Sequence, residues 1–182
     1  MMGRSHTLIG LATVTALAAA NFWPLSPAVL AATAIGSLAP NIDHPQSTFG
    51  QPLFFVSYPM NATIGHRTGT HSFLALALCT LAVLIAEAAG YANVGYGFLV
   101  GYVVHIGADL LTIEGCALLY PWDRARYAFW PAVQTGSLGE AVILLPILGL
   151  ILGIAYWLNP PFFDAARQLR LHVPFLFHVP VT

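Results

Sequence analysis

The sequence predicts an all-α integral membrane bundle of about five transmembrane helices, four on a stricter count, with two aromatic interfacial loops. Three observations carry this. Charged residues make up 7% of the chain, against about 25% in a soluble domain, too few to clothe a water-facing surface. Hydrophobic residues make up 58%, with a mean hydropathy of +0.76. Apolar stretches of spanning length recur along the chain, separated by Pro and Gly. At 182 residues the chain is one domain, 1–182, with 162–182 as an interfacial tail.

Thr7 to Trp23 is the first apolar stretch. Arg4 ahead of it and Ala18-Ala19-Ala20 near its end also suit a signal peptide. Its length and the spans that follow favour a retained helix. Pro24 and Pro27 mark a turn, and Pro27 suits the first turn of a new helix. Ala28 to Ala39 is short, a short or tilted span that Pro40 ends. Asn41 to Thr70 is the first long loop. Leu53, Phe54, Phe55, Val56, Tyr58 and Met60 make it apolar enough to lie at the membrane interface. Ser72 to Gly90 is the third span, with Thr70 as its expected N-cap and Gly90 as its stop. Ala92 to Leu111 is the fourth. Glu114 to Leu138 is the second long loop, where Tyr120, Trp122, Tyr127, Phe129 and Trp130 surround Arg124 and Arg126 as headgroup-level anchors. Leu138 to Leu158 is the fifth span, with Pro146 as a possible kink. The tail from Phe162 to Thr182 mixes apolar and basic residues and is expected on the membrane surface.

Alternation of the spans places Arg4, Arg67, Arg124 and Arg126 on one side, and the opposite loops near Ser26 and Tyr91 hold no basic residue. The positive-inside rule makes that side cytoplasmic, with the N-terminus in the cytoplasm of a multi-pass bacterial inner-membrane protein. Arg167 and Arg170 in the tail are the exception. The same alternation gathers polar groups at the cytoplasmic end: His6, Asp43, His44, His66, Arg67, His71, His105, Asp109, Glu114 and Glu140. Glu87, Asp164, His172 and His178 fall elsewhere.

His105 and Asp109 share one helix face at i and i+4, half of a divalent-metal site. A charge so near the bilayer calls for a partner and a task. The expected ligand set is His6, Asp43, His44, His66, His71, His105 and Asp109. Nitrogen and oxygen donors without thiolate suit one or two ions, zinc first, with manganese or iron as alternatives. An open coordination position would supply a hydroxide nucleophile. Arg67 could neutralise a developing phosphoryl charge, and Glu114 or Glu140 could serve as general base or complete the metal shell. Each residue also has a plainer reading: His6 as an interfacial or capping residue, Asp43-His44 as an Asx turn, His105/Asp109 as a polar pair joining helices, and Glu140 as a helix N-terminal acid. Six arginines, no lysine and a net charge of -1 offer no basic patch for nucleic acid. Cys79 and Cys116 lack metal or disulfide spacing and are expected as core residues.

His6, then LAPNIDH (Leu38 to His44), HRTGTHS (His66 to Ser72) and GYVVHIGADLLTIEG (Gly101 to Gly115) together resemble the YdjM-like family, and the likeness extends to TGSLGE (Thr135 to Glu140). These are bacterial inner-membrane proteins described as LexA-regulated, metal-dependent hydrolases. The resemblance implies roles for His6, Asp43, His44, His66, Arg67, His71, His105 and Asp109. Where the family reads P-D-x-D-H, this chain has Asn41 in place of the first acid.

The expected function is metal-dependent hydrolysis of a lipid or membrane-associated ester, phosphate esters included, in contact with the bilayer. Two alternatives stand beside it. A metal or proton transporter would need polar groups through the whole bilayer depth. A non-catalytic membrane adaptor would hold a structural metal with every coordination position filled.

Overall fold

The computed structural model describes residues 1–90 and 92–164. Along the chain run α1 (Gly3–Ala19), α2 (Pro27–Gly36), a 3-10 turn (Ala39–Asp43), α3 (Phe54–Thr63), a second 3-10 turn (Gly69–His71), α4 (Phe73–Ala88), α5 (Ala92–Asp109) and α6 (Leu138–Leu158). No strand forms among the described residues; two isolated bridges, Thr112 with Val133 and Cys116 with Tyr127, are the nearest approach. The expected tail at 165–182, with Arg167, Arg170, His172 and His178, lies outside the described residues.

Helix α5 is the centre, with α1, α2 and α4 packed around it and α6 laid against α1. Local chemistry sets the helix ends. Ser26 caps α2, its hydroxyl accepting from the Val29 amide at 3.2 Å, with Pro27 at the first helical position as expected. Helix α4 is capped by Ser72, whose hydroxyl accepts from the Ala75 amide at 3.2 Å. The expected cap, Thr70, is two residues too early, and its hydroxyl goes to Asp43 instead. Gly90 closes α4 at φ +92°, a left-handed conformation that costs glycine little.

The α2–α5 contact depends on missing side chains. A Cβ on Gly36 would meet the Phe98 backbone, and one on Gly101 would meet backbone atoms of Thr33 and Ser37. Gly97 and Gly101, one turn apart on α5, let the two backbones touch, as small residues do between membrane helices. This close crossing brings the Ser37 carbonyl onto the end of α5.

The outward faces are apolar. Leu78, Leu81, Leu84 and Ile85 on α4 and Val142, Leu145 and Leu150 on α6 are exposed, a surface suited to lipid rather than water. Among the described helices, α6 alone has both the length and the hydropathy to cross a bilayer. The second expected span is realised as the ten-residue α2 followed by a 3-10 turn. At 1.5 Å per residue α2 extends about 15 Å, half a hydrocarbon core.

The first long loop holds the unexpected helix α3. Pro59 within it hides it from a sequence reading, since proline costs a helix interior bond. Phe54, Phe55 and Tyr58 project outward from it. The second loop is irregular, but its backbone is partnered: Cys116 and Tyr127 exchange hydrogen bonds of 3.0 and 2.9 Å, and the Phe129 amide donates to Leu110 at 2.7 Å. Cys79 and Cys116 are free, as expected. Burial pushes the Cys116 thiol up to about 12.

Candidate metal centre

The polar groups converge where five segments meet: the start of α1, both 3-10 turns, the end of α5 and the loop after it. His6, His71, His105 and Asp109 are fully buried there. His105 and Asp109 stand one turn apart on α5, with Nε2 and Oδ2 3.4 Å apart. His71 Nε2 is 3.4 Å from the same oxygen and 3.1 Å from His105 Nε2. His6 stacks on the His105 ring at 3.8 Å, and its Nε2 lies 3.3 Å from Asp109 Oδ1. Ligand atoms of His6, His105 and Asp109 all fall within 4.8 Å of one another.

Proton positions follow from the partners. His105 Nδ1 lies 2.6 Å from the Ser37 carbonyl, which can only accept, so Nδ1 carries the proton and Nε2 is bare. The Thr70 hydroxyl donates to Asp43 Oδ2 at 2.5 Å and therefore accepts from His71 Nδ1 at 2.9 Å. Neutral His71 is then also bare at Nε2. Two imidazole lone pairs facing each other at 3.1 Å repel unless a cation lies between or beside them. That cation is either a proton on His71 or a metal ion. Burial alone would depress His71, but its hydrogen bonds to Asp109 and Asp43 outweigh burial and raise it above its ordinary 6.5. Asp109 Oδ2, the third lone pair at this point, has no hydrogen-bond partner, and neither has His6 Nδ1. A buried oxygen without a donor, beside two bare nitrogens, fits a divalent ion held by His71, His105 and Asp109, with His6 close by.

Asp43 orients this set from behind. Its Oδ2 receives Thr70 and the Arg67 amide at 3.0 Å and lies 3.4 Å from His71 Nδ1, while its Oδ1 meets His66 Nδ1 at 2.7 Å. Carboxylate support of a ligating imidazole fixes its tautomer and raises its basicity. Burial would raise the Asp43 carboxyl, but hydrogen bonds from His66 and His71 hold it well below the usual carboxylate range. For His66, burial wins over Asp43 and lowers it below 6.5.

Arg67 does not stand free for substrate. Its guanidinium donates to Asp109 Oδ1 at 3.0 Å, Thr112 at 2.7 Å and Glu114 Oε2 at 2.7 Å. Its backbone sits at φ +60°, left-handed and strained for a side-chain-bearing residue, and these bonds hold it there. Glu114 is half-exposed and held by Arg67 and Thr135. Burial would raise its carboxyl, but the Arg67 charge lowers it. Glu140 is not brought to the cluster. Its oxygens accept from Ser5 at 2.5 Å, the Met2 amide at 2.8 Å and the Gly136 amide at 2.7 Å, so it docks α6 onto the start of α1 rather than serving as base or ligand. His44 lies beside His66, rings 4.6 Å apart, with Nδ1 accepting from the Gln46 amide; it borders the cluster from outside.

Sequence reasoning missed the Ser37 carbonyl, Thr70 and Thr112, and the Met1 nitrogen, 2.6 Å from Asp109 Oδ1. Thr70 and Thr112 gave a signal, by lying inside HRTGTHS and GYVVHIGADLLTIEG; the Ser37 carbonyl and the Met1 nitrogen gave none. Outside the cluster two adjoining cavities of about 410 and 400 Å³ open to the surface, sharing His44, His66, Arg67 and Thr135 as lining.

The family model described as "YdjM inner membrane protein" matches residues 1–173. The chain belongs to this family. It is 32% identical over 159 residues to "Uncharacterized protein YvsG" of Bacillus subtilis (strain 168), covering 86% of this chain and 94% of that protein. It is 36% identical over 108 residues to "Inner membrane protein YdjM" of Escherichia coli (strain K12), and equally to that of Shigella flexneri, covering 58% of this chain and 53% of each relative. The match thus spans about half the length of those two proteins. No solved structure matches the chain. Membership of an inner-membrane family accounts for the apolar outer surface.

Proposed function

We propose that the protein is a membrane-bound, metal-dependent hydrolase acting on a lipid or other membrane-associated ester. One observation carries the reading: His71 Nε2, His105 Nε2 and Asp109 Oδ2 turn bare lone pairs toward one buried point, each 3.1 to 3.4 Å from the others. Zinc is the first choice for such a nitrogen-and-oxygen set, with manganese or iron next. His6, carrying an unpartnered nitrogen, is the reserve ligand for that ion or for a second one. A bound ion would supply Lewis acidity and an acidified water. The chain's own residues do the rest. Ser37 and Asp43 fix the tautomers of His105 and His71. Arg67 and Thr112 hold the Asp109 end of α5 in place. His66, partly exposed and backed by Asp43, borders the cavities and is the group best placed to exchange a proton with a bound substrate. On this reading the chain is multi-pass with the site at the cytoplasmic face, an orientation that the arginine distribution supports.

The test is purification in mild detergent with metal quantification, beside His105→Ala and Asp109→Ala. About one bound ion per chain in the wild type, lost in both variants, and metal-dependent release of product from a lipid panel are expected. Wild-type protein that neither retains nor rebinds zinc, manganese or iron would overturn the proposal.

A further inference from the structure

The cavity of about 400 Å³ beside the metal centre is lined by two guanidinium groups, Arg67 and Arg126, against one carboxylate, Glu114. Arg67 is engaged through both terminal nitrogens, by Asp109, Thr112 and Glu114, and it neutralises Glu114 at 2.7 Å. Arg126 is different. Its Nη2 donates to the His66 carbonyl at 3.0 Å and its Nη1 reaches the Glu114 carbonyl at 3.5 Å. Neither acceptor is a carboxylate, so the positive charge has no ionic partner among the described residues, and the rest of the donor fork is open. The two carbonyls hold the fork at the cavity wall, which an anchoring arginine loose in the headgroup region would not need. His44 adds a neutral donor. Its Nδ1 accepts from the Gln46 amide at 3.1 Å, so the proton is on Nε2, which makes no hydrogen bond among the described residues. Asn61 lines the same cavity.

The two segments that supply Asn61 and Arg126 also carry exposed aromatic residues. Asn61 is on α3, whose Phe54, Phe55 and Tyr58 are exposed. Arg126 lies four residues from both Trp122 and Trp130, exposed by 80% and 93%. Aromatic rings of this kind settle at headgroup depth. The same two segments thus offer exposed apolar rings and, in the cavity, a cationic donor set.

We propose that Arg126, His44 and Asn61 form a phosphoryl-binding subsite, and that the ligand is an amphiphile whose anionic phosphoryl headgroup docks there with its apolar part toward the exposed aromatic residues of α3 and the second loop. A planar fork with a separate imidazole donor offers hydrogen bonds from more than one direction, as a tetrahedral phosphoryl group requires. The inference rests on the hydrolase reading for the ligand's fate beside the metal centre, but not for its binding. It also moves phosphoryl recognition from Arg67, which is engaged, to Arg126.

The experiment measures binding to metal-free protein in detergent, by ³¹P NMR line broadening and calorimetry. The probes are inorganic phosphate, dihexanoyl phosphatidic acid and, as a control without phosphoryl, dihexanoylglycerol. Phosphatidic acid is expected to bind and dihexanoylglycerol to bind at least tenfold more weakly. Arg126→Gln should weaken phosphatidic acid about tenfold, the effect of losing a charged hydrogen-bond donor, and Arg126→Lys should recover part of the loss. Phosphatidic acid tighter than inorganic phosphate supports the amphiphile; equal affinities overturn that part and leave a soluble phosphoryl compound as ligand. Unchanged binding in Arg126→Gln, or no preference over dihexanoylglycerol, overturns the subsite. Metal content of the protein as purified, before the metal is removed, and melting temperature are followed in parallel. Both should be unchanged in Arg126→Gln, so failure of the subsite and failure of the metal reading are separate results.

Discussion

Replacing Asp109 with asparagine removes one charge and almost no volume. Asp109 Oδ1 faces the Met1 nitrogen at 2.6 Å, Arg67 Nη2 at 3.0 Å and His6 Nε2 at 3.3 Å; Oδ2 faces His71 and His105 at 3.4 Å each. An asparagine can keep its oxygen toward Arg67 and turn its amide toward the imidazoles, so shape and some hydrogen bonding survive. What is lost is the one buried carboxylate among the described residues that touches the Arg67 guanidinium, where both side chains are nearly inaccessible. Removing one partner of a buried pair costs about 3–5 kcal/mol, because the remaining charge stays desolvated. For a chain of this size that lowers the melting temperature by roughly 6–20 °C. The assay is thermal unfolding of metal-free protein in detergent, with Asp123→Asn, in an exposed acid of the second loop, as a control that should melt with the wild type. Measured beside it, Asp109→Asn should also fail to retain metal. An Asp109→Asn protein that melts within about 2 °C of wild type would refute the view that this carboxylate holds the cluster together.

Adding zinc to chelated wild-type protein at a hundred times its dissociation constant should stabilise it by about 2.7 kcal/mol, and His105→Ala should abolish the rise; equal responses would place the ion elsewhere. Gly101→Ala drives a Cβ into the backbone of α2, where no side-chain tip can move aside, and should cost about 1–3 kcal/mol in unfolding measurements while loosening metal binding through Ser37. A carboxyl depressed by folding adds stability above its unfolded value and loses it as pH falls through its folded one. Acid unfolding of metal-free protein below the ordinary Asp43 value of 3.8 should therefore include an Asp43 contribution, and Asp43→Asn should flatten that limb of the stability–pH curve.

Much of the helical framework was legible in the sequence because apolar length and Pro/Gly punctuation are local signals. Leu138–Leu158 is the same in both readings, and α4 and α5 differ from expectation by two residues or fewer at each end. Helix α3 was not legible, since Pro59 breaks its helical pattern and its aromatic face looks outward. The stretch read as a short or tilted span is the ten-residue α2 followed by a 3-10 turn, a division that apolar composition does not reveal. The convergence of His6, Asp43, His66, His71, His105 and Asp109 was legible through alternation alone. Their division of labour was not. Whether a carboxylate faces an imidazole, an amide or a guanidinium depends on side-chain directions that spacing does not encode. Glu140 shows the difference: its place at the right end of α6 put it near the cluster in sequence terms, but Ser5 and the Met2 and Gly136 amides take up its oxygens. Arg67 looked like a free cation in HRTGTHS, and three partners across the fold engage it.

Asp43 explains why the chain keeps two histidines in one short motif. Its two oxygens divide the motif into an inner and an outer half. Oδ2 turns toward His71, which faces the buried lone pairs of His105 and Asp109; Oδ1 binds His66, which borders the open cavities. The Arg67 amide, between the two histidines in sequence, donates to Oδ2 and locks the turn, and its left-handed φ sends the guanidinium inward to Asp109 while His66 stays at the wall. A ligand at the wall and an ion at the buried point would then share one carboxylate at one remove. A change of charge on either side would then be felt on the other through Asp43. Substituting Asp43 therefore tests more than stability: it cuts the link through which His66 at the cavity wall reaches His71, leaving the Arg67–Asp109 bond to join the wall to the proposed ligands.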